Sequence, residues 1–257
     1  MKGRNFLKTK AIVLRTVNYG EADRIVTFYT YDFGKLTGIA KGARQSQKRF
    51  ANILEPISYL HMIFYRKSRD TMAIIESCDI LRHYDSIRSS LEKTLLASYL
   101  LDLTNHFTVE DKKGVHLFTL LEDFLSAIEG KPLNDCLPRL FELRLLKLMG
   151  YQPALDSCMK CRNPVQNGNH YHFSVHDGGL ICSSCYSTGV TAITISASTI
   201  RTLMMGMHFE PSQMDSLAFS ASAADESRGM LNAFISHLLG RELKSIRVLD
   251  EIRQLSI

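Results

Sequence analysis

Four cysteines in two closely spaced pairs are the residues of this chain best suited to chemistry. Cys158 and Cys161 form one Cys-x-x-Cys pair, Cys182 and Cys185 form the other, and 20 residues separate the pairs. Each Cys-x-x-Cys turn lets two thiolates converge on one ion, and two turns complete the tetrahedral shell that Zn²⁺ prefers. The spacing therefore predicts one zinc ion held by four cysteines.

Two alternatives to a structural metal site are a pair of disulfides and a catalytic zinc. Charges interrupt the start of the chain, where a signal peptide would be apolar, so we expect a cytosolic protein with reduced thiols. A catalytic zinc keeps one position open for water, whereas four cysteines fill the shell. A deaminase would need its H-x-E motif before the cysteines, but His208-Phe209-Glu210 follows them. The sequence favours a structural zinc.

The other cysteines and the nearby histidines are predicted to bind no metal. Cys78 and Cys136 stand among apolar neighbours without a partner at ligand spacing, so we expect buried thiols. The histidines between the two cysteine pairs are predicted to be structural or solvent-facing: His170, His172 and His176.

Basic residues are concentrated near the N-terminus. The whole chain has a formal net charge of +5, whereas its first 50 residues carry 11 Lys or Arg against three Asp or Glu. Such asymmetry indicates a nucleic-acid surface, and a solvated basic face is the alternative. The residues predicted to face a nucleic acid lie in the segment GKLTGIAKGARQSQKR, and they are Lys35, Lys41, Arg44, Lys48 and Arg49.

Residues 6–80 have the pattern of a small β-barrel. Alternating apolar segments suggest about five strands with no helix between them, and the Asp-Phe-Gly break at 32–34 predicts a hairpin turn. Five strands with basic loops favour an OB-fold, with an SH3-like barrel as the alternative. The polar segment after Gly42 is predicted to be a mobile basic loop.

Aromatic residues near this loop could stack on bases, as they do on OB-folds that bind single strands. Strand alternation sends some of them inward, so we predict that most belong to the barrel core. The residues in question are Phe28, Tyr29, Tyr31, Phe33 and Phe50.

The chain becomes helical in pattern after Tyr84. Amphipathic and leucine-rich segments lie on both sides of the cysteines, and no apolar run is long enough to span a membrane. We therefore predict an α+β multidomain protein. Its predicted parts are an OB-fold barrel at 1–81, an all-helical domain at 82–154 and 190–257, and an inserted zinc module at 155–189. No nucleotide-binding loop or hydrolase motif is visible, so we expect no enzyme and no bound nucleotide.

The order of several motifs resembles the bacterial RecO family of recombination mediators. The motifs are NYGEADRIVTFYTYDFGKLTGIAKGAR, then LEPISYL, an all-helical middle and the paired cysteines, and together they cover essentially the full length. The resemblance implies binding of single- and double-stranded DNA and annealing of complementary strands. It also implies action with RecR to load RecA onto DNA coated by single-strand-binding protein, in the cytoplasm at the nucleoid.

The resemblance also implies contact with the acidic tail of the single-strand-binding protein, which ends in an aromatic residue and a carboxylate. Such a tail needs cations beside an apolar pocket. The candidate cations are Arg139, Arg144 and Lys147, which could instead form the solvated face of a helix. Two other functions remain as alternatives: a zinc-ribbon transcription or ribosome-associated factor, and a zinc-dependent nucleic-acid enzyme.

Overall fold

The computed structural model describes residues 5–46, 49–68, 71–187, 191–208 and 219–255. Contacts within the chain divide it into two compact units, Met1–Gly130 and Lys131–Ile257. Across the described ranges, no helix combines the length and the apolar character needed to cross a membrane.

Five strands of the first unit form a closed barrel. They are β1 (Leu7–Tyr19), β2 (Asp23–Thr30), β3 (Gly34–Ala40), β4 (Tyr59–Tyr65) and β5 (Ala73–Arg82). The order around the barrel is β1-β2-β3-β5-β4, and β1 closes it by pairing with both β2 and β4. Neighbouring strands are antiparallel except β3 and β5, which run parallel. This arrangement confirms the predicted five-stranded, OB-like barrel.

Strand alternation builds the barrel core, as the period of two requires. Phe28, Leu36 and Phe64 lie inside it and are almost inaccessible to solvent. The turn of the β2–β3 hairpin lies at the predicted Asp-Phe-Gly. It ends at Gly34, the first residue of β3, whose φ is +70°. Any Cβ at Gly34 would also collide with the carbonyl oxygen of Lys112, so only glycine fits there.

Three helices follow the barrel in the described part of the first unit: α1 (Asp85–Ser89), α2 (Leu91–Phe107) and α3 (Val115–Gly130). Ser90 caps α2, because its side chain accepts a hydrogen bond from the Lys93 amide. Phe118 of α3 packs edge-on against Tyr31 and Tyr59 of the barrel, with ring centroids 5.6 and 5.9 Å away. The three helices therefore belong to the same compact unit as the barrel, although the sequence predicted a boundary after residue 81.

The described residues of the second unit form four helices and a four-stranded sheet. The helices are α4 (Cys136–Met149), α5 (Ala197–Gly206), α6 (Ala221–Leu239) and α7 (Lys244–Leu255). The strands are β6 (Ala154–Cys158), β7 (His170–Ser174), β8 (Gly179–Cys182) and β9 (Ala192–Ser196), in the order β6-β8-β7-β9. Because β9 pairs with β7, the sheet that carries the cysteines continues past residue 189, where the predicted module ends.

Candidate metal centre and nucleic-acid surface

The two cysteine pairs begin at the ends of two neighbouring parallel strands. β6 ends at Cys158, β8 ends at Cys182, and these strands pair in parallel. Parallel strands bring their carboxyl ends to the same edge of a sheet, so the turns that follow them meet there. Backbone hydrogen bonds tighten both turns: the Arg162 amide donates to the Cys158 carbonyl at 2.9 Å, and the Cys185 amide donates to the Cys182 carbonyl at 3.0 Å.

The sulfur atoms of the four predicted ligands lie together. All four Sγ atoms are within 4.8 Å of one another, and those of Cys161 and Cys182 are 3.7 Å apart. An ion with tetrahedral Zn–S bonds of about 2.3 Å would place its sulfurs about 3.8 Å apart. The donor set and its spacing therefore fit a tetrahedral tetrathiolate site.

Backbone amides favour the thiolate form of the most buried ligand. Burial opposes ionisation of Cys158, but hydrogen bonds from the amides of Cys161, Cys182 and Lys160 outweigh it and lower the pKa to about 6. Hydrogen bonds with Cys182 and Cys161 raise the pKa of Cys185 to about 12. Thiols this close share protons, because several thiolates in one small space repel unless a cation binds them.

No histidine belongs to this metal-binding group in the part of the chain that the structure describes. His172 instead stacks on the Tyr186 ring, with the centroids 3.8 Å apart. Cys78 and Cys136 are buried, as predicted, and burial raises the pKa of these thiols to about 12 and about 11. Of the H-x-E sequence after the cysteines, only His208 lies within the described residues.

Three of the predicted DNA-facing cations lie exposed in the segment that follows β3. They are Lys41, Arg44 and Arg49, whereas Lys48 lies outside the described residues. The Arg44 guanidinium donates to the carbonyl oxygens of Gly20 and Glu21 in the β1–β2 turn, both at 3.0 Å. The loop after β3 and the β1–β2 turn are therefore adjacent at one end of the barrel.

The segment after Gly42 is anchored where it is described, which corrects the expectation of a mobile loop. Ala43, Phe50 and Leu54 are buried in the barrel core. The Gly42 amide donates to the Asp23 carboxylate at 2.8 Å. These apolar residues are too widely spaced in the sequence to predict that the segment is anchored. Their burial sets the position of the neighbouring cations.

Lys35 occupies a different environment from the exposed cations. Its ammonium donates to the backbone carbonyls of Asn105 and Thr108, at 2.7 and 3.2 Å, where α2 ends. Burial lowers the pKa of Lys35 below its ordinary value, although the nearby Glu110 carboxylate opposes that shift. The sequence predicted a DNA contact for Lys35, but its ammonium is directed at helix carbonyls because the α2 terminus lies against β3.

The connection between α2 and α3 covers part of β3. The Glu110 carboxylate accepts hydrogen bonds from the Thr37 amide at 3.1 Å and the Thr37 hydroxyl at 2.6 Å. The Asp111 amide donates to the Lys35 carbonyl at 3.0 Å. These bonds occupy the part of β3 that precedes its pairing with β5.

The aromatic residues singled out in the sequence lie mostly inside. Phe28 and Phe50 belong to the interior cluster, and Phe33 packs edge-on against Phe64 of that cluster with centroids 5.3 Å apart. Tyr29 is buried outside the cluster, and Tyr31 is 39% exposed. The prediction that most of them belong to the core is confirmed. The exposed aromatic side chain of the β1–β2 hairpin is Tyr19, at 56% exposure, which sequence reasoning missed. Its place beside the Gly20-Glu21 turn was the sequence feature that could have indicated an exposed tyrosine.

The three cations predicted to contact a partner differ in accessibility. Arg139 is buried, pairs with the buried Glu142 at 3.0 Å and donates to the Asn232 side chain at 3.2 Å. This burial contradicts both an accessible contact and a solvated face for Arg139, because α4 is enclosed on nearly all sides. Arg144 is half-buried and donates to the Gly206 carbonyl, whereas Lys147 is exposed.

Comparisons with known proteins agree with this architecture. Residues 1–84 match the family model "Recombination protein O N terminal", and residues 88–247 match "Recombination protein O C terminal". The DNA repair protein RecO of Syntrophus aciditrophicus is 49% identical over 97% of each chain. RecO of Anaeromyxobacter dehalogenans is 33% identical over 96% of each chain, and RecO of Acetivibrio thermocellus is 32% identical over 97% of this chain and 99% of its own. With two matching domain models and relatives of this identity and coverage, the chain belongs to the RecO family of DNA repair proteins.

Proposed function

We propose that this chain is a DNA-binding mediator of recombinational repair. It binds single- and double-stranded DNA, anneals complementary strands and acts with RecR to load RecA onto DNA coated by single-strand-binding protein. The observation that carries the proposal is the group of exposed cations at one end of an OB-like barrel, Lys41, Arg44 and Arg49. Family membership supports the same function, and it does not favour a transcription or ribosome-associated factor.

Annealing needs a cationic surface more than it needs catalytic groups. Two strands repel each other through their phosphates, and a protein that neutralises phosphates lowers this repulsion while leaving base edges free to pair. Lys41, Arg44 and Arg49, in the loop after β3, can do this without nucleotide hydrolysis. The chain therefore acts as a mediator and not as an enzyme. Its proposed location is the cytoplasm, at the nucleoid.

The direct experiment is an annealing assay with complementary oligonucleotides, with and without single-strand-binding protein. The proposal predicts faster annealing of naked strands in the presence of the protein, and restored annealing of coated strands. Failure to bind or anneal naked strands at low salt would remove the proposal, whatever the effect of the coating protein.

The four cysteines hold one structural Zn²⁺. When bound, the ion supplies positive charge that stabilises four neighbouring thiolates and ties the ends of β6 and β8 together. Four protein ligands leave no position for a reacting water, which supports a structural role. Metal analysis of protein purified without chelators tests this assignment, and another ion in the site would contradict it.

Lys147 is the proposed contact for the acidic tail of the single-strand-binding protein. It lines a cavity of about 270 Å³ in the second unit, whose lining includes the apolar Pro153, Leu155 and Met204 and one carboxylate, that of Asp156. An ammonium beside apolar side chains suits a peptide that ends in an aromatic residue and a carboxylate. The buried Arg139 is left out of this proposal.

Binding of a fluorescent tail peptide tests the Lys147 contact. Lys147→Glu should weaken peptide binding about tenfold or more, because it reverses the charge beside the cavity. Arg241→Glu is the matched control, since Arg241 is an exposed cation of the same unit that does not line the cavity. Equal weakening by both variants would indicate a general charge effect and contradict the contact. Binding to RecR is a separate part of the proposal, tested by co-purification.

A further inference from the structure

An apolar row crosses the outside of the barrel on four neighbouring strands. Val17 of β1 lies opposite Ile25 of β2, Ile25 lies opposite Ile39 of β3, and Ile39 lies beside Ile74 of β5. None of the four belongs to the interior cluster, and all are partly exposed, Val17 at 43%. Neighbouring strands are about 4.8 Å apart, so the row extends about 14 Å.

The other half of this outer face is already covered. Ile12 and Tyr29 lie opposite each other outside the interior cluster, yet both are buried. The Tyr29 hydroxyl donates to the Gly114 carbonyl before α3. Glu110 binds Thr37, which in turn hydrogen-bonds Thr27 across the strands. The covered half therefore stops at this threonine pair, and the apolar row lies beyond it.

Tyr19 extends the row toward the β1–β2 turn. It lies two residues after Val17 on β1, so both side chains are on the same face of the strand. The residue is 56% exposed, and no described residue forms a hydrogen bond or ring contact with its side chain. A tyrosine at the edge of a sheet face, with a free ring beside aliphatic side chains, can stack on a planar ligand.

The charged residues around the row favour the binding of an anionic ligand. Exposed cations lie on the row's strands and on the loops beside it: Arg15, Lys41, Arg44, Arg49 and Lys67. The carboxylates beside the row are fewer: Glu21 and Asp23 at the β1–β2 turn, and Glu76, which lies two residues after Ile74 on the same face of β5. Asp23 accepts a hydrogen bond from the Gly42 amide. Arg24 is not counted, because it pairs with Glu55 at 2.6 Å.

We propose that the apolar row and Tyr19 form the site for the unpaired bases of a single DNA strand, with one base stacked on Tyr19. The surrounding cations bind the phosphates of the same strand. A duplex hides the faces of its bases, so this site gives single strands an affinity that duplexes lack. The inference rests on the proposed DNA binding and adds the element that distinguishes single strands.

A tryptophan placed at the site reports on stacking directly. The chain contains no tryptophan, so Tyr19→Trp introduces one fluorophore. Tyr151→Trp is the matched control, because Tyr151 is similarly exposed, at 50%, and lies in the second unit. A saturating mixed-sequence single strand should quench the fluorescence of the Tyr19→Trp protein strongly and leave the control within about 10% of its starting intensity. No quenching of the Tyr19→Trp protein by a strand that binds it, or equal quenching by duplex, would overturn the proposal.

Binding measurements separate this inference from the proposed function. Tyr19→Ser should weaken binding of single strands about fivefold or more and change duplex binding less than about twofold, whereas Tyr19→Phe should bind like the original chain. Replacing the exposed cations should weaken the binding of both single strands and duplexes. If Tyr19→Ser is folded and binds single strands normally while the charge variant does not, the base site is wrong and the proposed function stands. If the original chain binds no DNA, the base site and the proposed function are both wrong.

Discussion

The Lys35 ammonium lies 2.7 Å from the backbone carbonyl oxygen of Asn105, 70 residues further along the chain. With a second bond to the Thr108 carbonyl, it places a positive charge where α2 ends. Carbonyls at a helix C-terminus have no partners within the helix and carry partial negative charge. Lys35 therefore joins β3 to the end of α2, one of several contacts between the barrel and its helices within the first unit.

Replacing Lys35 should affect stability and leave DNA binding unchanged. Lys35→Met removes the donor but keeps most of the side-chain volume, and two partly buried carbonyls lose their partner. We expect the free energy of unfolding to fall by about 1–2 kcal/mol, measured by urea denaturation. Lys112→Met is the control, because Lys112 is exposed. A smaller salt dependence of DNA binding in folded Lys35→Met would show that Lys35 contacts phosphate after all.

Removing one metal ligand should destabilise the second unit alone. Cys182→Ser should reduce zinc from about one ion per chain to a small fraction, because serine is a poor ligand for this ion. Hydrogen exchange should accelerate in β6 to β9 and stay unchanged in the barrel. Ser184→Ala, in the same turn, should keep its zinc. Full zinc content in Cys182→Ser would contradict the four-cysteine site.

The buried ion pair of α4 should matter to folding far more than the exposed cation on the same helix. Arg139→Leu leaves the Glu142 carboxylate buried without its guanidinium, which we expect to cost about 3–5 kcal/mol. Lys147→Leu should change stability by less than about 0.5 kcal/mol, because Lys147 is exposed. Thermal and denaturant unfolding of the two variants provide the comparison. Similar stabilities would mean that the Arg139–Glu142 pair contributes little.

Sequence tolerance is expected for single-strand binding. The candidate contacts are cations, aliphatic side chains and one tyrosine, and none of these reads the hydrogen-bonding edges of bases. Oligonucleotides of equal length and different mixed sequence should bind within roughly an order of magnitude of one another, as measured by fluorescence anisotropy. A strong preference for one short sequence would favour a transcription factor instead.

Local patterns predicted the barrel and the grouping of the four cysteines. Strand alternation, the Asp-Phe-Gly turn and the Cys-x-x-Cys spacing are set by residues close together in the sequence, so Gly34 and the four cysteines could be placed from it. Closure of the barrel was not predicted, because it depends on the pairing of β1 with β4 and of β3 with β5, which lie far apart in the sequence.

Roles that depend on distant segments could not be predicted. The partner of Lys35 is the end of α2, and the partner of Arg139 on α6 is Asn232, both far along the chain. α4 has the composition of an amphipathic helix, yet neighbours from several elements enclose it. Tyr19 was missed because exposure of a strand residue depends on what covers the sheet, and the α2–α3 connection covers only half of it.

The central claim is that the basic residues of the segment after β3 carry DNA binding and annealing. A variant with Lys41, Arg44, Lys48 and Arg49 all replaced by Gln tests it, since glutamine keeps hydrogen-bond donors that Arg44 and Arg49 use on backbone carbonyls. The matched control replaces four other cations of the chain, so that net charge falls equally: Lys112, Lys113, Arg241 and Lys244.

The decisive measurement is the rate at which complementary oligonucleotides anneal, compared at matched zinc content and thermal stability. The loop-end variant should anneal at least about tenfold more slowly than the original chain. The log–log salt slope of its single-strand binding should shrink by about 0.7 for each phosphate that the variant no longer neutralises. The control variant should anneal within about twofold of the original. A folded loop-end variant that anneals at the original rate would show that the DNA surface lies elsewhere and would contradict the central claim.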